Sequence, residues 1–159
     1  HVALKFQHEN VRFFIPNNIL EQLSNYKQIS DKDNEAAGLL IGYLRNNGEF
    51  WVDKITTPKE TDIRKRSFFK LDPKPHQKIV NEAYENTDGV LGYQGTWHTH
   101  PQNNPVPSKL DLMDWTTHCL ENEDRHLFFI VIGIEEIVVY TIIDGKKVKL
   151  KNHGSHKVK

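Results

Sequence analysis

The sequence predicts a single α/β domain in which helices pack on a mixed β-sheet. Apolar runs typical of buried strands alternate along the chain with segments whose apolar residues recur at helical spacing. The 159 residues suffice for one core, which at this size buries about 70% of the unfolded surface, and are few for two. Neither a repeat nor a low-complexity linker interrupts them. We expect one domain over residues 1–159, with its core at about 11–143 and a basic polar tail at 144–159.

The first third of the chain predicts a strand, a helix and a hairpin. Residues 11–15 are typical of a short strand, and Pro16 suits the first turn of a helix whose apolar positions follow at helical spacing. Residues 36–44 are almost entirely apolar, which predicts a strand buried on both faces. The turn signal Asn46-Asn47-Gly48 joins this strand to a second one at 50–55.

The middle of the chain predicts a long loop, a short strand, a helix and a long strand. Residues 56–66 are polar and irregular, and residues 67–71 predict a short strand. Residues 75–85 have apolar side chains at helical spacing. Residues 90–100 predict a strand that ends at Pro101.

The last third predicts one helix and the remaining strands. Three prolines within residues 101–107 exclude regular structure there, and Ser108 caps the next helix. Apolar runs predict strands at 127–134 and 137–143, and residues 147–150 predict a short last strand. The predicted order β-α-β-β-β-α-β-α-β-β is that of an α/β domain.

Composition and charge exclude several classes of protein. The 21 Lys and Arg residues balance the 21 Asp and Glu residues, so net charge gives no argument for a nucleic acid or an anionic membrane as partner. No apolar stretch approaches the roughly 20 residues of a membrane-spanning helix, and the N-terminus lacks the layout of a signal peptide. The single cysteine, Cys119, excludes an internal disulfide and a Cys-rich zinc site. We expect a cytoplasmic protein that binds neither nucleic acid nor membrane.

The stretch from Trp97 to Asp111 carries the clearest chemical pattern. His98 and His100 lie two residues apart on a predicted strand, so both imidazoles point to the same face. Ser108 and Asp111 lie three residues apart at the start of a predicted helix and share a face. Two histidines and one carboxylate leave the fourth position of a tetrahedral zinc ion to water, which is typical of a catalytic site. The sequence predicts one Zn²⁺ per chain, held by His98, His100 and Asp111.

Glu35 is the candidate general base for such a site. It directly precedes the buried strand predicted at 36–44, where its carboxylate can project into the site. An isolated glutamate of this kind is more often a solvated loop residue. Ser-x-x-Asp is likewise an ordinary helix start, so Ser108 and Asp111 can also serve as a cap and a dipole partner. We expect that the Ser108 hydroxyl cannot cap and catalyse at once but can switch between the two.

The pattern as a whole resembles the complete signature of the JAMM (JAB1/MPN/Mov34) metalloprotease family. It consists of Glu35, Gly38, then His-Thr-His-Pro from His98, six residues, Ser108, two residues and Asp111. Several further segments resemble the bacterial branch of JAB-domain isopeptidases found in type II CBASS anti-phage operons. These segments are Ile55-Thr56-Thr57-Pro58, Thr61-Asp62, Ser67-Phe68-Phe69, His76 and Trp97. Thr96 departs from the pattern, because glutamate is expected there in many close relatives.

The resemblance implies an MPN/JAMM-type fold and a role for each residue of the signature. It implies that His98, His100 and Asp111 bind zinc, that Glu35 is the general base and acid, and that Ser108 donates a hydrogen bond to the oxyanion of the tetrahedral intermediate. The implied enzyme is a zinc-dependent isopeptidase or endopeptidase that cleaves after the C-terminal residue of a protein tail. In the CBASS branch that tail belongs to a cGAS/DncV-like nucleotidyltransferase (CD-NTase), which an E1–E2 fusion protein has attached to target lysines. The resemblance further implies that a segment near residues 58–66 pairs with the tail by strand addition.

Alternatives remain at the level of the sequence. The domain can process another ubiquitin-like or sulfur-carrier protein, or it can be a non-catalytic MPN scaffold. Residues 58–66 can form a solvated loop instead of a clamp, and the lysines after residue 145 are expected to be a solubilising tail. His76 and His118 are expected to be polar-face or supporting residues, and Cys119 a core residue. Zinc deaminases are excluded because a Pro-Cys-x-x-Cys pair is absent, and gluzincin-type proteases because His-Glu-x-x-His is absent.

Overall fold

A computed structural model describes residues 2–158 and contains, within them, three helices, a nine-stranded mixed sheet and a separate two-stranded hairpin. The α/β fold with a mixed sheet, predicted from the sequence, is confirmed. In chain order the elements are β1 (Val2–His8), β2 (Val11–Pro16), α1 (Asn17–Ser24), β3 (Ala37–Leu44), β4 (Glu49–Ile55), β5 (Ile63–Lys65), β6 (Phe68–Lys70), α2 (Pro73–Asn86), β7 (Gly92–Thr99), α3 (Lys109–Glu121), β8 (Phe128–Ile132), β9 (Ile137–Ile143), β10 (Lys146–Lys149) and β11 (Lys151–Lys157). None of the helices in this part of the chain combines the length and the apolar character that crossing a membrane requires.

The large sheet curves strongly enough to bring its two edge strands close together at one end. Its order is β10-β9-β8-β7-β3-β4-β2-β1-β11, with parallel pairing for β2 with β4 and for β7 with β8. Edge strands of a flat nine-stranded sheet would lie about 38 Å apart at the usual strand spacing. Here β10 and β11 occupy opposite edges although Leu150 alone separates them in the chain. The Leu150 N–H donates to the Val139 carbonyl, and its side chain is buried in the core.

Alternating side chains divide the core between the two faces of the sheet. On β8, Phe128 joins the cluster that includes Ile19 and Leu23 of α1, whereas Phe129 packs against Trp115 of α3. Helix α2 covers β3 on the same face as α3, through Val80 and its neighbours. Helix α1 therefore lies on one face, and α2 and α3 lie on the other. Between the β5–β6 hairpin and α3, parts of β3 and β7 line an open cleft.

Two of the strands that the sequence did not predict, β1 and β11, lie at the two ends of the chain, and a third, β5, lies within residues 56–66, which are predicted to be an irregular loop. Residues 144–159 are expected to be a polar tail with at most one short strand, but β10 and β11 occupy most of them. Strand β1 precedes the expected core and pairs with both β2 and β11. A strand at a sheet edge gains its main-chain hydrogen bonds whatever its side chains are, so the lysines of β10 and β11 can stay exposed in water. Their polar sequence hides the strands from a search for apolar periodicity.

Candidate active site

A bulge in β7 turns the functional side chains toward the helices. Leu40 of β3 pairs with Gly95, but the next residue, Ile41, pairs with Tyr93, so β7 carries one extra residue. Gly95 adopts φ +128°, and a Cβ there would lie 1.8 Å from the Phe128 carbonyl oxygen, so this position requires glycine. Because of the extra residue, the side chains of Tyr93, before the bulge, and of Thr96 and His98, after it, reach the same face of the sheet, on the side of α3.

Three candidate ligand atoms lie close together in a group that we call the histidine–aspartate cluster, which consists of His98, His100 and Asp111. The two Nε2 atoms lie 3.0 Å apart, and Oδ2 of Asp111 lies 3.4 Å from Nε2 of His98 and 3.3 Å from Nε2 of His100. Ligands 2.0–2.1 Å from a tetrahedral zinc ion lie about 3.3–3.4 Å from one another. The two sides that meet at Asp111 have this length, and the side between the histidines, at 3.0 Å, is slightly shorter, so the atoms are arranged as three corners of such a site. Two imidazoles with one carboxylate are ligands that zinc accepts.

The first turn of α3 orients Asp111. The Ser108 N–H donates to Oδ2 of Asp111 at 2.8 Å, and the Asp111 N–H donates to the Ser108 hydroxyl oxygen at 3.1 Å, which is a complete capping box. Burial would raise the pKa of Asp111, but hydrogen bonds from His100 and His98, with that from the Ser108 N–H, hold it far below its usual range. Asp111 is therefore a carboxylate fixed at the mouth of the cluster.

The cap leaves the Ser108 hydroxyl proton free to act elsewhere. In the cap the hydroxyl oxygen accepts a hydrogen bond, and a hydroxyl that accepts can still donate its own proton. The cap therefore does not prevent the hydroxyl from donating to another group, contrary to the expectation that the two roles exclude each other, and the catalytic role of Ser108 stays a prediction. Ser108 is exposed and lines the same cleft as the cluster.

Glu35 lies beside the histidine pair at the start of β3. One carboxylate oxygen and the ligand nitrogens of His98 and His100 all lie within 4.8 Å of one another. Its N–H donates to the Lys65 carbonyl at 2.8 Å, and its own carbonyl accepts a bond of 3.0 Å from Arg64 Nε, so the β5–β6 hairpin holds its main chain on both sides. Burial raises the pKa of Glu35, against the lowering effect of the two histidines. A raised pKa suits a carboxyl group that takes up and releases a proton near neutral pH.

Glu35, Ser108 and the histidine–aspartate cluster, five residues in all, line a cleft of about 580 Å³ between the β5–β6 hairpin and α3. Phe68 and Phe69 line the hairpin wall, and Leu110 and Asp114 line the α3 wall. The floor is formed by β3 and β7. Among the described residues that line the cleft there is no Lys or Arg, so all formal charge in it comes from carboxylates and histidines.

Gly38 has a steric role beneath the cleft. A Cβ at this position would lie 2.1 Å from the Thr56 carbonyl oxygen and 2.6 Å from Nε1 of Trp97. The two groups are themselves bonded, since the Trp97 indole N–H donates to the Thr56 carbonyl at 2.9 Å. Glycine at position 38 therefore lets the indole and β4 close against β3 directly behind Glu35.

His76 supports the base of the hairpin from inside the protein. It is fully buried, with Nε2 at 2.9 Å from Oδ2 of Asp62 and Nδ1 at 2.6 Å from the Thr56 hydroxyl. Asp62 also accepts hydrogen bonds from the N–H groups of Lys59 and Asp72, each at 2.7 Å. Residues 58–66 are therefore tied to the fold through Asp62.

Sequence reasoning assigned no role to two side chains that border the site. Tyr93 contacts Nδ1 of His118 at 3.0 Å, and His118 lies 3.4 Å from Asp114 in the cleft wall. Gln28 lies buried behind the histidine pair. A buried polar residue in a loop has no periodic pattern, so Gln28 could not be found from the sequence.

Comparisons with known proteins identify the family of the chain. Residues 19–144 match the family model of prokaryotic homologs of the JAB domain, Prok-JAB. A protein of Escherichia coli strain TW11681 named CD-NTase/cGAS isopeptidase is 29% identical over 85% of this chain and 81% of its own length. Proteins of the same name from Pseudomonas aeruginosa and Vibrio cholerae serotype O1 are each 34% identical, over 79% and 73% of this chain and 79% and 74% of their own lengths.

A solved structure shares the fold. The solution structure of protein DSY2949 from Desulfitobacterium hafniense covers 85% of this chain and 87% of its own with a TM-score of 0.59, at 20% identity. At that identity the likeness shows the fold alone. Together with the family match over most of the chain, these findings confirm the resemblance inferred from the sequence: the chain belongs to the Prok-JAB family, the prokaryotic homologs of the JAB domain.

Proposed function

We propose that the protein is a zinc-dependent isopeptidase that releases a CD-NTase from the lysine side chains to which it is conjugated. The observation that carries the proposal is the triangle of His98, His100 and Asp111, whose ligand atoms are arranged as three corners of a tetrahedral zinc site, with the carboxylate of Glu35 beside it. The relatives named CD-NTase/cGAS isopeptidase support the substrate class. We further propose that the protein acts in the cytoplasm in CBASS anti-phage defence, on conjugates made by an E1–E2 fusion protein.

The proposed chemistry assigns one task to each residue of the site. Zinc held by the histidine–aspartate cluster would supply a Lewis acid for the scissile carbonyl and lower the pKa of a water molecule in the site. Glu35 accepts a proton from the water molecule while the water oxygen forms a bond to the scissile carbon. The Ser108 hydroxyl donates a hydrogen bond to the oxyanion that results. As the C–N bond breaks, Glu35 delivers the proton to the departing lysine amine, which leaves the CD-NTase with a free C-terminal carboxylate.

The cleft fits an extended tail better than a folded surface. The hairpin wall and the α3 wall stand on either side of the β3–β7 floor, and the apolar rings of Phe68 and Phe69 face the cleft. The hairpin has two strands only, so it can accept a further strand through main-chain hydrogen bonds. We therefore place the tail of the substrate along the hairpin, with its last carbonyl at the cluster.

A cleavage assay with a matched variant tests the proposal. The substrate is a CD-NTase from the same operon with a reporter protein fused to its C-terminus, and mass spectrometry locates the cut. The zinc-loaded protein should release the reporter after the last native residue, whereas Glu35→Gln and a chelator-treated sample should not.

Two outcomes would contradict the proposal. Release that survives in Glu35→Gln would remove Glu35 as the base. Failure of the zinc-loaded protein to release the reporter, while it cleaves a ubiquitin-like or sulfur-carrier tail, would replace the substrate class. Failure on both kinds of tail by a protein that takes up no zinc would indicate an MPN scaffold.

A further inference from the structure

Gln28 connects three segments around the site through one buried side chain. It lies in the loop after α1 and is 1% exposed. Its Oε1 accepts a hydrogen bond of 2.9 Å from the Thr99 hydroxyl. Its Nε2 donates to the main-chain carbonyls of Asp33, at 3.2 Å, and Arg66, at 2.8 Å. The amide thus uses its acceptor and both of its donor protons.

Thr99 carries the connection to the segment that holds the proposed base. It stands between the two histidines of the cluster and is fully buried. Its hydroxyl accepts a hydrogen bond of 2.9 Å from the Ala36 N–H while it donates to Gln28, and its own N–H donates to the Ala36 carbonyl at 2.9 Å. Because Ala36 follows Glu35 directly, the distance between the base and the histidine pair depends on these bonds.

The two carbonyls that Gln28 binds flank the base from the other side. Asp33 stands two residues before Glu35, and Arg66 lies in the turn of the hairpin between β5 and β6. The hairpin in turn holds the Glu35 main chain through the Lys65 carbonyl at 2.8 Å. One amide therefore joins the β7 histidine strand, the loop that carries the base and the cleft wall.

We propose that Gln28 is a positioning residue that fixes the Glu35 segment and the β5–β6 hairpin against the histidine strand. This inference rests on the proposed function of the cleft. A branched apolar side chain of similar size, such as leucine, would leave the Asp33 and Arg66 carbonyls without their donor inside the protein. Each carbonyl would then move toward another donor or toward water. A displacement of the base by about 1 Å can lower the rate of an enzyme about 100-fold.

Gln28→Leu and the matched control Gln94→Leu separate positioning from general stability. Gln94 is also a buried glutamine, at 4% exposure, but its Oε1 has no hydrogen-bond partner within residues 2–158 and its side chain lies against Gly42. We expect Gln28→Leu to bind zinc as the unmodified protein does and to lose about 10-fold to 100-fold in kcat on the CD-NTase fusion. Gln94→Leu should keep kcat within about twofold. A kcat equal to that of Gln94→Leu, or a loss of zinc that accounts for the whole decrease, would overturn the proposal.

A second measurement does not depend on the substrate. Amide hydrogen exchange at Glu35 and Ala36 should become faster in Gln28→Leu and stay unchanged in Gln94→Leu. The Ala36 amide is bonded to the Thr99 hydroxyl, which Gln28 binds, and the Glu35 amide is bonded to the Lys65 carbonyl, next to Arg66, whose carbonyl Gln28 binds. Unchanged exchange in Gln28→Leu would overturn the positioning role. If no variant and no unmodified protein cleaves the fusion, the proposed function fails, and exchange at these two amides still decides the role of Gln28.

Thr99→Val adds a test of the link itself. The change removes the hydroxyl and keeps the shape of the side chain. If Gln28 acts through Thr99, the effects of Gln28→Leu and Thr99→Val on kcat should not multiply in the double variant. Fully multiplicative effects would overturn the link between the two residues.

Discussion

The substitution Gly38→Ala tests whether the cleft floor is as closely packed as the structure shows. The added methyl group would stand 2.1 Å from the Thr56 carbonyl oxygen and 2.6 Å from Nε1 of Trp97, so β3 and the indole must move apart. Overpacking of this kind costs about 1–3 kcal/mol, and loss of the buried Trp97–Thr56 hydrogen bond adds about 1 kcal/mol. Alanine has less conformational freedom than glycine in the unfolded chain, and this difference stabilises the folded protein by about 0.5–1 kcal/mol. The expected net loss of stability is about 1–3.5 kcal/mol.

Thermal unfolding followed by circular dichroism measures this loss. For a chain of this length, about 1–3.5 kcal/mol corresponds to a decrease in Tm of roughly 2–14 °C. Gly145→Ala is the control, because a Cβ there meets nothing within 4 Å and the substitution tests only the positive φ of +74°. We expect a clearly smaller decrease for that variant. A Tm for Gly38→Ala within about 2 °C of the unmodified protein would refute the packing argument.

Three further changes test the site and its support. Glu35→Gln should retain zinc and Tm but lower kcat at least about 100-fold, because the amide cannot accept the proton; metal analysis and the fusion assay check both parts. Lowering the pH should release zinc. Burial of His100 would lower the pKa of its imidazole, but Asp111 raises it, and a protonated imidazole cannot bind metal. A competition titration at several pH values that shows constant affinity would contradict this. Burial would raise the pKa of Asp62, but hydrogen bonds from the Lys59 N–H, His76 and the Asp72 N–H lower it. The stability that Asp62 contributes is therefore present at a pH above its ordinary pKa and is lost as the pH falls through its lowered pKa in the folded protein. Asp62→Asn should flatten the acid side of a plot of unfolding free energy against pH. An unchanged acid slope would show that Asp62 is not the group responsible.

Local sequence patterns predict the convergence of the ligand candidates because two simple periodicities produce it. Residues two apart on a strand share a face, which brings His98 to His100, and the capped helix start places Asp111 over them. Both facts follow from residues close together in the chain. Their role in binding a metal stays a prediction.

The supporting structure was not predictable in the same way because it depends on long-range contacts. Strand β11 forms through pairing with β1 at the other end of the chain, and its polar side chains carry no sign of it. The bulge beside Gly95 depends on the close approach of β8. Gln28 gains its role only when the hairpin and β7 meet around it. In each case the partner lies far away in sequence.

The most direct test of the central claim is the zinc content of the purified protein and of two aspartate variants. Asp111 contacts both histidines, whereas Asp114 lies one helical turn further along α3 in the same cleft wall. Elemental analysis after zinc loading and dialysis should find one zinc ion per chain in the unmodified protein and in Asp114→Asn, and well below one in Asp111→Asn. A protein that takes up no zinc, or one that loses it in Asp114→Asn and keeps it in Asp111→Asn, would contradict the proposed metal site.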